Sequence, residues 1–361
     1  MKVLSLFDGM ACGMIAMRIA GVEVESYDAY EIDKYAIKTA QHNFPMIKEH
    51  GDVFGADFTQ YEGVDFLIGG SPCTYWSIAQ TKNRETVASG MGWELFSQYV
   101  RALHEAKPKY FIYENNKSMS KEIRASIDET FGFEAVLINS ALVSAQNRHR
   151  LYWVGRRNAD GTYSKVNVEQ PADRGILLKD VLDNAVAIRD KAHTIDANYY
   201  KGGNFTSPNK QSGKRLMAAE PINTDANEKA FCVTSRYYKG FGNNPGNCLE
   251  KHRDSMVAEH INDICFDDEG KPIKAIAKNG KEIPVYKVKD GKITINGKQY
   301  PIKLKDGFYI IRKLTVSECK RLQTVPEWYE FPVSDSQAYK MLGNGWTCEV
   351  ISHILKYLKE A

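Results

Sequence analysis

Three short stretches carry side chains able to do chemistry. Cys73 closes the run Phe66-Leu67-Ile68-Gly69-Gly70-Ser71-Pro72-Cys73. The apolar part reads as a buried strand stopped by the Gly/Ser/Pro cluster. A thiol therefore sits at the carboxyl end of a strand, where open α/β sheets hold their ligands. There it can serve as a nucleophile; the competing reading is a small buried hydrophobe, the usual fate of a free cysteine. Glu114 ends the apolar run Ile112-Tyr113-Glu114 and is followed by Asn115-Asn116. Burying a carboxylate is costly without a partner, and a desolvated one has a reason to hold a proton; a helix-capping acid is the alternative. Gln146-Asn147-Arg148-His149-Arg150 precedes the strand pattern Leu151–Val154. Two arginines two residues apart point the same way on an extended chain, as a cluster for an anion or a carbonyl requires. An exposed basic edge is the rival reading.

A second set of positions suits a nucleoside-bearing cofactor. Phe7-Asp8-Gly9-Met10-Ala11-Cys12-Gly13 follows the first strand pattern and opens a helix. Glycine lets backbone approach a ligand, and a helix start offers unpaired N–H groups. The stretch is not a Gly-x-Gly-x-x-Gly fingerprint. Glu31 ends the next strand about twenty residues on, where an acid can hydrogen-bond ribose hydroxyls. Asp52, in Gly51-Asp52-Val53, ends another and could reach an adenine edge.

These positions need a scaffold that gathers strand ends. Strand patterns at Lys2–Phe7, Val24–Tyr30, Asp65–Gly69, Tyr110–Glu114, Ala135–Asn139 and Leu151–Gly155 alternate with helix patterns at Cys12–Ala20, Lys34–Asn43, Leu95–Ala106 and Glu122–Phe131. Such βαβ alternation implies a doubly wound, mostly parallel α/β sheet. Beyond residue 160 Asn, Gly, Lys and Tyr accumulate, and between Ile261 and Arg312 short β-like runs are split by Asn-Gly and Asp-Gly turns. These favour tight hairpins and mark a separate, smaller β-rich module. Glu349–Leu358 returns to an amphipathic helical pattern and is expected to rejoin the first domain. The expected division is 1–160 plus 330–361 against 161–329. Residues 192–202 and 230–240 echo each other at five of eleven positions, each with paired tyrosines and a lysine before glycine. That mix suits phosphate and base contacts, although a repeated hairpin corner would explain it equally.

Composition bounds the function classes. The 361 residues are 43% hydrophobic and 26% charged, with no apolar stretch near membrane-spanning length. Met1–Phe7 runs straight into a strand pattern and is expected to be no signal peptide. Seven scattered cysteines without a Cys-x-x-Cys pair argue for a reducing, cytoplasmic setting and against a disulfide framework or a structural zinc site. Net charge is +3 overall but −4 over residues 1–150 and +9 over 271–313. An acidic core joined to a basic segment suits an enzyme with a polyanion-facing module; a solvated lysine-rich hairpin region is the plainer reading.

In this order the motifs resemble those of the C5-cytosine DNA methyltransferase family. The resemblance rests on the Phe-x-Gly loop at Phe7, Glu31, Gly-x-Pro-Cys at Cys73, Glu114-Asn115 and Gln146-x-Arg148-x-Arg150. It rests also on two C-terminal blocks, Arg312–Gln323 and Gln337-Ala338-Tyr339-Lys340-Met341-Leu342-Gly343-Asn344. It covers roughly residues 1–157 and 312–361, and residues 158–311 fall where the family carries its variable target-recognition domain. Three positions depart from the family pattern: Asn116 for an apolar residue, Trp346 for a small one, and Met10-Ala11-Cys12 without a double glycine.

The resemblance implies a catalytic set of Cys73, Glu114, Arg148 and Arg150. Cys73 would attack C6 of a flipped-out cytosine, Glu114 would hold or protonate N3, Arg150 would bind O2, and Arg148 would orient the cysteine, the base or its phosphate. It implies S-adenosylmethionine as cofactor, S-adenosylhomocysteine as product, and no metal. The implied pocket comprises Phe7, Asp8, Gly9, Met10, Ala11, Cys12, Glu31, Ile32, Asp52, Val53, Pro72, Leu95, Asn344 and Trp346. The implied partner is double-stranded DNA, with no membrane, a monomeric state, and a cognate restriction endonuclease left open. Ser77–Trp93 would form a mobile loop over the base, with Ser77, Gln80, Lys82 and Arg84 near DNA together with Gln146; Arg236 and Lys239 are phosphate candidates. Three rivals remain: a tRNA cytosine methyltransferase, a catalytically silent DNA-binding relative, and a nicotinamide oxidoreductase, the last disfavoured by the missing fingerprint.

Overall fold

A computed structural model describes residues 1–77, 84–183, 185–201, 216–222, 261–266, 272–277 and 282–360. The calls on Gln80, Lys82, Arg236 and Lys239, and the second half of the tyrosine–lysine echo, lie outside the described residues.

The chain forms two compact units: Met1–Ile176 with His193–Tyr200 and Cys319–Ala361, and Leu177–Ala192 with Lys201–Glu318. In the first unit the strands are β1 (Lys2–Leu6), β2 (Ser26–Tyr30), β3 (Lys48–Glu49), β4 (Phe66–Gly69), β5 (Tyr110–Asn116), β6 (Val136–Asn139), β7 (His149–Arg157) and β8 (Tyr163–Lys165). They lie in the order β3-β2-β1-β4-β5-β7-β6, with β8 paired to β7. The pairs from β3 to β5 are parallel, whereas β7 runs antiparallel to β5, β6 and β8. The helices of this unit are α1 (Cys12–Ile19), α2 (Lys34–Asn43), α3 (Gly90–Ala106) and α4 (Lys121–Phe131), joined late in the chain by α6 (Asp335–Asn344) and α7 (Cys348–Glu360); α5 (Val316–Leu322) precedes those two. The doubly wound sheet expected from the alternation is present, and the winding reverses between β1 and β4, the position where such sheets open a crevice.

Local chemistry explains these elements. β4 is buried along its whole length, which is why it reads as a continuous apolar run rather than an alternation. α2 starts where the Asp33 carboxylate accepts from Tyr35 N, and α4 where Ser120 Oγ accepts from Ile123 N and Gly132 ends it in the left-handed region. Between α3 and the sheet lies an aromatic core of Phe96, Tyr99, Phe111, Tyr113, Phe131 and Trp153. The Tyr99 hydroxyl donates to the carbonyls of Leu67 and Ile112, tying α3 across β4 and β5.

The unit boundaries differ from those read in the sequence. Residues 161–176 stay with the first unit because β8 extends its sheet and His353 Nε2 meets the Glu169 carbonyl at 2.9 Å. Residues 319–329 also belong to it, with the buried Tyr329 hydroxyl donating to Met10 O at 2.7 Å. His193–Tyr200 returns to it as a strap, held by Thr194 Oγ1 on Asn147 O and by packing of the Tyr199 and Tyr339 rings.

The second unit is an antiparallel sheet built from β9 (Val186–Ala187), β10 (Leu216–Ile222), β11 (Ile261–Phe266), β12 (Pro272–Ala277), β13 (Glu282–Lys289), β14 (Lys292–Ile295), β15 (Lys298–Pro301) and β16 (Gly307–Lys313). Val288, Ile293, Ile295, Tyr309 and Ile311 share its core, while Lys287, Lys289, Lys292, Lys298, Lys303 and Lys305 are exposed. Arg312 is buried against Glu220 and Glu318, so this arginine is a structural brace of the sheet.

Candidate active site

The carboxyl ends of β1, β2, β4 and β5 open into one cavity of about 610 Å³, closed on another side by α6 and the turn after it. Its lining includes Phe7, Asp8, Gly9, Met10, Cys12, Glu31, Ile32, Pro72, Cys73, Glu114, Arg148, Arg150, Asn344 and Trp346.

Cys73 begins a single 3-10 turn, Cys73–Tyr75, after the Gly70-Ser71-Pro72 link that follows β4, and its carbonyl accepts from Trp76 N and Ser77 N. The turn before it is fixed from β5. Ser71 Oγ lies 2.7 Å from the Tyr113 hydroxyl, and Asn115 Nδ2 donates to Ser71 O at 3.2 Å. Gly70 permits this contact: a Cβ there would sit 2.7 Å from the Glu114 carbonyl oxygen and 3.0 Å from its Oε2. The Gly-Gly-Ser-Pro-Cys and Glu-Asn stretches are thus two halves of one packed unit, with a half-buried thiol at its rim.

Glu114 is 8% exposed and its carboxylate has two donors. Arg150 Nε is 2.9 Å from Oε1, and Trp346 Nε1 donates to Oε2 at 2.9 Å. Burial pushes the Glu114 carboxyl above its ordinary range, while Arg150, Arg148 and the Trp346 hydrogen bond pull the other way. Both Glu114 and Arg150, expected together in the sequence, line the cavity and are paired. The resemblance placed Trp346 on the cofactor, whereas the indole N–H is spent on Glu114 although the residue also lines the cavity.

Arg148 and Arg150 both line the cavity, but they are held differently: Arg150 lies within β7 and pairs with Glu114, whereas Arg148 precedes the strand and its guanidinium is engaged by backbone. Arg148 is 2% exposed, and its guanidinium donates to the carbonyls of Ile195 at 3.0 Å, Gly343 at 3.1 Å and Gly345 at 2.8 Å. Burial and the neighbouring Arg150 push it down to about 9, so it remains a cation at neutral pH. Gln146, expected near DNA, is fully buried and offers DNA no face.

At the β1 end, Phe7 (φ 59°) and Ala11 (φ 57°) adopt the left-handed conformation that side chains rarely take. Glu31 ties this loop to the end of β2. Its Oε2 accepts from Gly9 N at 2.8 Å, and its Oε1 accepts from Ile32 N and Asp33 N at 2.7 and 2.8 Å. Asp8 accepts from Ser5 Oγ and the Tyr27 hydroxyl, both at 2.6 Å. Burial raises its pKa to about 6. Of the other expected cofactor positions, Ala11, Asp52, Val53 and Leu95 are not among the lining residues; Val53 is in the aromatic core and Leu95 packs against it. Gln337 and the Lys340–Asp33 ion pair (2.7 Å) also line the cavity; both helix residues stood in the C-terminal block, but nothing in their spacing marked them for the pocket.

The stretch Ser77–Trp93, expected to be a mobile loop, is anchored over its described part. Arg84 donates to the carbonyls of Trp76 (3.1 Å) and Ser118 (2.7 Å), and so is tied to the core instead of reaching toward DNA. Glu85 accepts from Trp76 Nε1 and Gly92 N, and Gly90 onward is already helix α3.

An α/β unit with a thiol, a buried carboxylate and an arginine around a crevice at its topological switch point defines an enzyme that combines nucleophilic and acid–base groups beside a cofactor-sized cavity. The chain belongs to the C-5 cytosine-specific DNA methylase family, whose model matches residues 1–360, and it is a DNA (cytosine-5-)-methyltransferase. It is 26% identical over 430 residues to the orphan methyltransferase M.SPRI of Bacillus phage SPR, covering 99% of this chain and 97% of that protein. It is likewise 26% identical over 376 residues to the type II methyltransferase M.NlaX of Neisseria lactamica, covering 100% of this chain and 96% of that one. Among solved structures, a Spodoptera frugiperda DNMT2 mutant matches with a TM-score of 0.56 at 17% identity, covering 99% of both chains. A putative DNA modification methyltransferase from an Escherichia coli prophage matches with a TM-score of 0.52 at 19% identity, covering 100% of this chain and 99% of that one. These two share the fold.

Proposed function

We propose that this chain methylates C5 of a flipped-out cytosine in duplex DNA through a covalent bond between Cys73 Sγ and C6. The observation that carries this reading is the convergence of Cys73, Glu114 and Arg150 on one cavity with the Phe7–Cys12 loop and Asn344. Cytosine C5 is a poor nucleophile. Addition of the Cys73 thiolate to C6 moves the 5,6 π electrons toward N3 and O2 and makes C5 enamine-like, splitting one hard step into two. Glu114 holds a proton at N3 and Arg150 faces the charge growing on O2. After methylation, loss of the C5 proton and expulsion of Cys73 restore the aromatic ring and the free thiol. A base inside a duplex cannot reach a thiol at the rim of this cavity, so the reading requires flipping.

The cavity fits S-adenosylmethionine. Asp8 Oδ2 and Gln337 Oε1 are buried acceptors without a partner, and both residues line it, as a cationic ligand rich in donors would require. Phe7, Gly9, Glu31, Ile32, Pro72 and Asn344 would hold it. When bound, it supplies an electrophilic methyl group. No group of three or more potential metal ligands occurs among the described residues. The exposed lysines of β13 to β15 support assigning the second unit to DNA, through phosphate contacts that position without specifying. The chain is proposed to act as a cytoplasmic monomer; among the described residues no helix is long and apolar enough to cross a membrane.

The test is trapping on duplex DNA of random sequence whose cytosines are replaced by 5-fluorocytosine, in the presence of S-adenosylmethionine. Fluorine at C5 cannot leave as a proton does, so the Cys73 adduct accumulates. We expect a denaturation-resistant complex with the native chain, none with Cys73→Ala, and a weaker one with Glu114→Gln. An adduct that persists in Cys73→Ala, or methyl incorporation into tRNA alone, would refute the proposal.

A further inference from the structure

Trp346 stands where a small residue was expected, and its indole does something particular. The residue follows the Gly343–Gly345 turn that caps α6 and walls the cavity. That turn is held from several directions. Arg148 donates to the carbonyls of Gly343 and Gly345, Gln323 Nε2 donates to Gly345 O at 3.2 Å, and Gly345 N donates to Met341 O. On the other side of Trp346, the buried Thr347 hydroxyl donates to Gln323 Oε1 at 2.9 Å and lies 2.8 Å from Ser140 Oγ. The backbone flanking Trp346 therefore has little freedom, and the indole N–H meets Glu114 Oε2 at 2.9 Å.

We propose that Trp346 is a positioning residue for Glu114: its indole N–H fixes one carboxylate oxygen while Arg150 fixes the other, so that the acid meets the base edge in a single orientation. Arg148 acts one step further back, by bracing the turn that presents the indole. A carboxylate on a flexible bond needs two such donors to hold one plane, and Arg150 Nε alone leaves rotation about the last torsion open. The inference rests on Glu114 being the acid that meets N3.

The arrangement also has a proton-affinity consequence. The charged or titratable groups around Glu114 are Arg150 and Tyr152 on β7, Arg148 before it, and Tyr113 beside it on β5. A hydrogen bond to the ionised form favours that form, so losing the indole donor moves the Glu114 midpoint upward. One charge-assisted bond corresponds to about one pH unit.

The experiment compares the native chain with Trp346→Phe, which keeps an aromatic ring and removes the donor. Carbon-13 NMR titration of the glutamate carboxyls, with Glu114 assigned by its absence in Glu114→Gln, reads the midpoint without DNA or turnover. We expect a rise of about one unit in Trp346→Phe; an unchanged or lowered midpoint overturns the inference. Trapping on 5-fluorocytosine DNA gives the second readout. Trp346→Phe should slow adduct formation about tenfold in the native background and less than about twofold when Glu114 is already Gln. Equal losses in both backgrounds overturn it. If Trp346→Phe fails to fold, benzothienylalanine at 346 offers nearly the same shape with sulfur in place of N–H, and the same measurements apply. The two readings fail separately: a shifted midpoint in a protein that never forms an adduct sinks the methylation mechanism, while a native adduct with an unmoved midpoint sinks only the role of Trp346.

Discussion

Replacing Arg148 by Met removes a buried cation while keeping much of the stem that packs around it. The guanidinium donates to three carbonyls, of which Gly345 O keeps Gln323 as a second donor. The carbonyls of Ile195 and Gly343 lose this charged donor outright. Each lost donor at a buried carbonyl costs about 1–3 kcal/mol, and part of that is returned because a buried cation no longer has to be desolvated. The net expectation is about 3 kcal/mol of lost stability, or a Tm lower by about 6–12 °C for a unit of this size. Because Gly343 and Gly345 wall the cavity, S-adenosylhomocysteine affinity should fall about tenfold, equivalent to about 1.4 kcal/mol. Arg148→Lys should recover little, since an ammonium is a point charge that cannot span three acceptors. Differential scanning calorimetry and isothermal titration with S-adenosylhomocysteine make the measurements. A Tm within about 2 °C of native and unchanged affinity, together with lost adduct formation, would return Arg148 to the base or the phosphate and refute the brace.

Other perturbations follow from the same geometry. Gly70→Ala places a Cβ 2.7 Å from the Glu114 carbonyl oxygen, and backbone yields at a cost of about 1–3 kcal/mol; adduct formation should fall about 100-fold because Cys73 and Glu114 are driven apart. Asp8 has its pKa raised by burial from 3.8 to about 6, so its stabilising contribution is complete below about pH 4 and is lost as pH rises through about 6. Asp8→Asn should therefore flatten the fall in Tm between pH 4 and 7, removing up to about 3 kcal/mol of pH dependence; a slope identical to native in thermal melts would contradict the burial argument.

How far the sequence could be read depended on whether a feature was local. The run Lys34–Asn43 was expected as a helix with the bounds found, and the structure adds Asp33 as its cap, since helix limits are set by nearest-neighbour chemistry. The strand ends before Cys73 and Glu31 were legible for the same reason, since apolar runs stop where Gly, Pro or a carboxylate begins, whereas β5 runs two residues past Glu114 to Asn116. Arg148 was not legible. Alternation along an extended chain predicts two side chains on one face, but extended structure begins only at His149, and the guanidinium goes to carbonyls 47 and 195 or more positions away. Nothing near Arg148 marks those partners. The Trp346 hydrogen bond to Glu114 was equally hidden, since it crosses 232 positions. Gln146 was placed near DNA by resemblance alone; its burial comes from packing that no local pattern encodes.

The direction of β7 decides whether the site exists at all. Glu114 is near the carboxyl end of β5 and Arg150 near the amino end of β7. In a sheet continued in parallel, those ends would lie at opposite edges, separated by most of a strand of about 3.3 Å per residue. Antiparallel pairing instead sets Asn116 opposite Arg150 and Glu114 opposite Tyr152. Glu114 and Asn116 share a face, so Arg150 becomes the diagonal neighbour of Glu114 on that face, within reach of a long side chain. The 2.9 Å ion pair is the product of that register. A one-residue slip would turn Arg150 to the other face, and the acid would keep the indole as its one remaining donor. The parallel half of the sheet brings Cys73 and the Phe7–Cys12 loop to the crevice; the reversed strand brings the arginine that makes Glu114 a directed group instead of a buried liability.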